Sequence, residues 1–97
     1  MIDIIRQHAR LHILSDLAEQ PNGSWNSDAL RDDLEARVAI ARPLDWVHNE
    51  LLWLEDMGAV KITQVSAMLI AKITQRGLDH VERRRFIDGV KRPALED

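Results

Sequence analysis

The run Val47-His48-Asn49-Glu50-Leu51-Leu52-Trp53-Leu54-Glu55-Asp56-Met57-Gly58-Ala59-Val60 changes its hydrophobic period at Gly58. Before that glycine, Leu44, Val47, Leu51, Leu54 and Met57 recur at a spacing that puts them on one face of a helix. Pro43 suits the first position of this helix, where its missing N–H would have no partner, and Gly58 suits a left-handed stop. A helix is expected over 43–57. Behind the glycine the period is 2. Val60, Ile62 and Gln64 fall on one face, and beyond Ser66-Ala67-Met68 the run Leu69 to Ile73 alternates through Leu69, Ala71 and Ile73. The pattern predicts a two-stranded hairpin directly after the helix.

Upstream, Ile2, Ile5, Ala9, Ile13, Leu14, Leu17 and Ala18 follow a helical period over 2–19, and Gln20-Pro21-Asn22-Gly23-Ser24 reads as a turn. Asn26 or Ser27 can cap a second helix, Asp28 favours its positive end, and Leu30, Leu34 and Val38 recur every fourth residue. Residues 39–42 make a brief connection. Downstream, Thr74 can cap a fourth helix with Leu78, Val81 and Phe86 inward and Arg76, Glu82, Arg83 and Arg85 outward. Residues 89–97 hold Pro93 and no period, so the expected organisation is one domain over 1–88 and a flexible tail over 89–97. The fold class expected is α+β, mostly α: a winged helix-turn-helix with three helices, a β-hairpin wing and a C-terminal helix. In that architecture the third helix is the one offered to a DNA groove.

The quoted run, followed after the hairpin by Ile73-Thr74-Gln75-Arg76-Gly77, resembles bacterial regulators of the MarR and ArsR type over residues 8–86. Small proteins of Mu-like prophages are also similar, through Leu51-Leu52-Trp53-Leu54, the Thr74 to Gly77 turn and Gly89-Val90-Lys91-Arg92-Pro93. These resemblances imply a phage origin and a winged-helix fold. Every matched residue does structural work, so they specify a ligand poorly.

Composition narrows the function classes. Ninety-seven residues with 45% apolar content can bury one modest core. Without cysteine, neither disulfides nor a thiolate zinc site can form. Met1-Ile2-Asp3-Ile4-Ile5-Arg6 carries an acid where a signal peptide wants bases, and no apolar run approaches the roughly 18 residues of a membrane span. A soluble cytoplasmic protein without a membrane partner is expected. No nucleophile elbow or phosphate-cradling glycine loop occurs, so neither catalysis nor a cofactor is expected.

Net charge is −3, unevenly spread: residues 43–60 hold four acids and no base, whereas 61–97 hold eight bases and five acids. An acidic third helix repels phosphates. Asn49 is its natural base reader, able to pair with adenine, and Arg42 precedes it as a phosphate contact. Lys61 and Lys72 on the wing, Arg76, and the Arg83, Arg84, Arg85 run complete the DNA-binding candidates. Trp46, expected on the outward side, and Leu52 on the flank are the protein-contact candidates. Trp53 is assigned to the core and Trp25 to a staple across the second helix. His8, His12 and Asp16 share a helix face at a spacing of four, which reads as a solvated polar stripe, and no metal is expected. His48 and His80 have no evident partner. The apolar surplus at Ile2, Ile4, Leu11, Phe86 and Ile87 suggests a homodimer. Two functions are thus expected in competition. One is a prophage-encoded regulator of double-stranded DNA; the other is an interaction module that binds a phage or host protein.

Overall fold

The structure of the protein, a computed structural model, describes residues 3–95. The elements are α1 (Ile4–Glu19), β1 (Ser24–Asn26), α2 (Ser27–Val38), α3 (Leu44–Asp56), β2 (Val60–Val65), β3 (Met68–Ile73) and α4 (Gln75–Val81). The winged helix-turn-helix is present, with α2 and α3 as its helix pair and β2–β3 as its wing. Ile2, expected in α1, lies outside the described residues. No helix among those described is long and apolar enough to cross a membrane.

The local signals work as their chemistry dictates. Asn26 caps α2 by accepting from the Ala29 amide at 2.8 Å. Gly58, at φ +78°, closes α3 in a Schellman motif: the Gly58 amide donates to the Glu55 carbonyl and the Ala59 amide to the Leu54 carbonyl, both at 2.9 Å. Thr74 Oγ1 accepts from the Gly77 amide at 3.2 Å and donates to the Gly58 carbonyl at 2.6 Å, so one hydroxyl starts α4 and ties it to the end of α3. A Cβ at Gly77 would stand 2.5 Å from the Ala59 carbonyl oxygen and 2.7 Å from Ile73 Cγ1, which is why the threonine is followed by glycine.

The core joins Ile13, Leu14 and Leu17 of α1, Leu30 and Leu34 of α2, Val47, Leu51 and Leu54 of α3, and Val60 and Ala71 of the wing, all at 0–1% exposure. Thus the apolar stripe of α3 faces inward as its spacing requires.

Three expectations need correction. The sheet has three strands, ordered β1-β3-β2, because Ser24–Asn26 pairs antiparallel with β3, and Trp25, just before the Asn26 cap of α2, lies opposite Ala71 in that ladder. The last helix ends at Val81, so Arg83, Arg84 and Arg85 occupy a turn in which Arg83 has φ +64°. His80 is fully buried there; its Nδ1 accepts from the Ile87 amide at 3.0 Å and its Nε2 donates to the Lys91 carbonyl at 2.8 Å, which folds the chain back. The segment read as a loose tail is therefore anchored through its first part: Val90 is buried and the Lys91 amide donates to the Gln7 carbonyl at 3.1 Å.

Candidate nucleic-acid interface

Asp45, Asn49, Leu52 and Asp56, at helical intervals along α3, are all exposed and form its outward stripe. Asn49 sits mid-stripe, exposed, and among the described residues its side-chain amide makes no hydrogen bond; Leu52 beside it is 47% exposed. The four acids of this helix are not equivalent. Glu50 is buried at 3% exposure and receives Arg10 Nε at 2.6 Å, with Arg6 Nε at 3.5 Å. Glu55 accepts the Ile62 amide of β2 at 2.9 Å. Asp45 and Asp56 alone among the four make no such bond among the described residues, and Glu50 alone has its charge offset by arginine, so three of the four acids still repel phosphates.

Trp46 is half-buried, packed on the core, and not freely outward as expected. It packs at the side of α3 because the helix turns its neighbour Val47 fully inward. The Arg6 and Arg42 guanidinium carbons stand 6.0 Å and 5.7 Å from its ring centroid, within cation–π range. Arg42 thus lies beside the N-terminal end of α3, where backbone amides favour an anion. His48 does not join the stripe, since its Nε2 is hydrogen-bonded to the buried Ser27 Oγ at 2.9 Å.

On the wing, Lys61 of β2 stands directly opposite Lys72 of β3. Like charges in that position oppose each other. Both are exposed, and among the described residues neither has a carboxylate within salt-bridge distance. The same holds for Arg42, Arg76 and Arg85. Arg76 is exposed on α4 with its stem against Gly58, near the base of the wing. The wing tip, residues 64–68, carries no base. Arg84 is neutralised by Glu82 at 2.9 Å and Asp79 at 3.6 Å, and Arg83 donates to the Pro93 carbonyl, so the arginine run is no uniform basic face. Sequence reasoning placed the wing lysines and Asn49 on the surface. It missed the Arg6–Trp46–Arg42 arrangement, which no spacing along the chain encodes.

No protein-family model matches the chain. Over 92 residues it is 33% identical to the "Uncharacterized protein gp26" of Escherichia phage Mu, a match covering 94% of this chain and 93% of the phage protein. Among solved structures, a chain of "The complex structure of hsRosR-S4" is similar in fold, with a TM-score of 0.66 at 20% sequence identity over 76% of this chain. The present chain spans 63% of that protein's length.

Proposed function

Because the chain belongs to the family of phage Mu gp26, we propose that it is a prophage-encoded winged-helix DNA-binding protein that acts in the cytoplasm as a transcriptional regulator, by binding and not by catalysis. The opposed, ion-pair-free lysines Lys61 and Lys72 carry this reading. Two like charges held face to face cost stability in the free protein, and a phosphate between them removes that cost. Arg42 at the α3 N-terminus, Arg76 at the base of the wing and Arg85 supply further phosphate contacts; Asn49 is the base reader. Arg83 and Arg84, already engaged, contribute less.

Salt-dependent titration on duplex DNA tests this reading. Affinity should fall with a log-log slope of about −0.9 per phosphate neutralised, and Lys61→Ala with Lys72→Ala should flatten the slope by about 1.8 while weakening all sequences alike. Asn49→Ala should relax preference at one adenine position. Absence of binding at low salt, where the mechanism is strongest, would overturn it.

A homodimer belongs to the same proposal, as two half-sites are commonly read by paired winged helices. Of the apolar surplus, Ile87 is buried within the chain at 3% exposure and Leu11 and Phe86 are partly covered, whereas Ile4 remains 74% exposed and its neighbour Ile5 45%. The pairing surface is therefore the start of α1. Ile4→Asp with Ile5→Asp should turn a sedimenting dimer into a monomer, and a monomeric unmodified chain at high micromolar concentration would refute the pairing.

One observation favours the second reading, an interaction module for a phage or host protein. Leu52 is exposed between Asn49 and Asp56 at the centre of the helix that would face DNA, with Trp46 on its flank. Should duplex DNA fail to bind, this surface becomes the contact.

A further inference from the structure

Asp16 of α1 is 3% exposed, and among the described residues its Oδ2 makes no hydrogen bond. A buried carboxylate oxygen that has an ion-pair contact but accepts no well-formed hydrogen bond is costly and calls for an explanation. The oxygen faces His12 Nε2, one helical turn earlier, at 3.3 Å. Across the helix interface, Asp33 Oδ2 of α2 lies 2.7 Å from the same nitrogen. One donor atom from each of the three side chains falls within a 4.8 Å cluster.

We propose that His12, Asp16 and Asp33 form a binding site for a first-row divalent cation, Zn²⁺ being the best matched. The site is distinct from the DNA-binding surface and does not depend on that reading. One imidazole nitrogen and two carboxylate oxygens are an ordinary donor set for Zn²⁺, whose bonds to such atoms are about 2.0–2.2 Å. Around an ion at that distance, tetrahedral ligands stand about 3.4 Å apart, close to the 3.3 Å between His12 and Asp16. The 2.7 Å between His12 and Asp33 is a hydrogen bond that an ion would replace as the two groups move apart. Two carboxylates carry the two negative charges that a divalent ion neutralises. Asp33 Oδ1 is held by Arg37 Nε at 3.3 Å, which orients Oδ2 into the cluster. Asp33, itself partly exposed, also lines a shallow surface depression with Trp25, Ala29, Asp32 and Ala36, which brings solvent to one member of the cluster.

The ion must compete with protons here, because ligation needs a neutral imidazole and ionised carboxylates. Asp16 and then Asp33 raise the His12 imidazole against the effect of its burial, and burial pushes the Asp16 carboxyl up. His8, the third member of the polar stripe seen in the sequence, is not part of the cluster. Its place is taken by Asp33, a residue of another helix. An ion held here cross-links α1 to α2, the first helix of the helix-turn-helix.

Calorimetric titration of the full chain with ZnCl₂, after chelator treatment, tests the site. One ion per chain should bind, and Tm should rise with the logarithm of free Zn²⁺. His12→Ala and Asp33→Asn should each weaken binding by at least about tenfold, with circular dichroism unchanged, while His8→Ala should bind as the unmodified chain does. Asp16→Asn is avoided as the primary probe because that side chain is buried. Co²⁺ in place of Zn²⁺ should give visible absorption that His12→Ala removes. Absence of saturable one-to-one binding overturns the site, as does equal binding by His12→Ala and the unmodified chain, or loss through His8→Ala as large as through His12→Ala.

Discussion

Arg10→Ala is expected to cost about 3 kcal/mol of folding stability. The Arg10 side chain is 12% exposed and its partner Glu50 only 4%, with Nε and Oε1 2.6 Å apart. Removing the guanidinium leaves a carboxylate inside the protein, and the uncompensated charge dominates the loss. Arg6, at 3.5 Å from Glu50, remains as a weaker partner and keeps the cost at the lower end of the range for broken buried pairs. Arg10 also stacks on Trp53 at 3.7 Å and donates to the Gly89 carbonyl at 2.9 Å, so its loss loosens α1, α3 and the C-terminal segment together. Urea unfolding measures it. Arg10→Met with Glu50→Leu should recover most of the stability, because the penalty belongs to the orphaned charge and not to missing attraction. Arg10→Lys should recover only part of it, since an ammonium restores the counter-charge but cannot also stack on Trp53 and reach the Gly89 carbonyl. An Arg10→Ala change within 0.5 kcal/mol of zero, roughly the size of an ordinary surface substitution, would refute the account.

Leu51→Ala and Leu54→Ala should each cost about 2–5 kcal/mol, through lost burial and the cavity left behind. Both are fully buried and contact the single core. Leu52→Ala, between them in sequence but 47% exposed, is the internal control and should stay within about 0.5 kcal/mol. The measurement is a shift of the urea midpoint at constant m value. A Leu52 effect as large as that of Leu51 would mean that α3 is rotated from the orientation described.

The change of period at Gly58 made the wing legible because both signals are local: a helical stripe needs only neighbours three and four positions away, and a strand only every second residue. The caps at Asn26 and Thr74 were legible for the same reason. Strand β1 was not, since three residues are too few to show alternation. Helix α4 continued in the sequence because Phe86 keeps the apolar spacing, but His80 captures the Ile87 amide and the Lys91 carbonyl and turns the chain before that spacing can be used. The resemblance read from the sequence to MarR- and ArsR-type regulators, which no comparison with known proteins shows, rested on residues that build the fold. It could not foresee a Gly77 packed against the Ala59 carbonyl.

By itself the sequence determined the single core, the order of the main helices and the wing, the inward stripe of α3 and the exposed lysines of the hairpin, all properties set by interactions over a few residues. Only the tertiary structure decided which charges remain available. Arg10 meets Glu50 across 40 positions, and His12 meets Asp33 across 21. The helix that looks uniformly acidic in sequence keeps two of its four carboxylates occupied, and a polar stripe on α1 acquires its third donor from α2. Charge interactions act through space at a few ångströms, whereas periodicity records only distance along the chain.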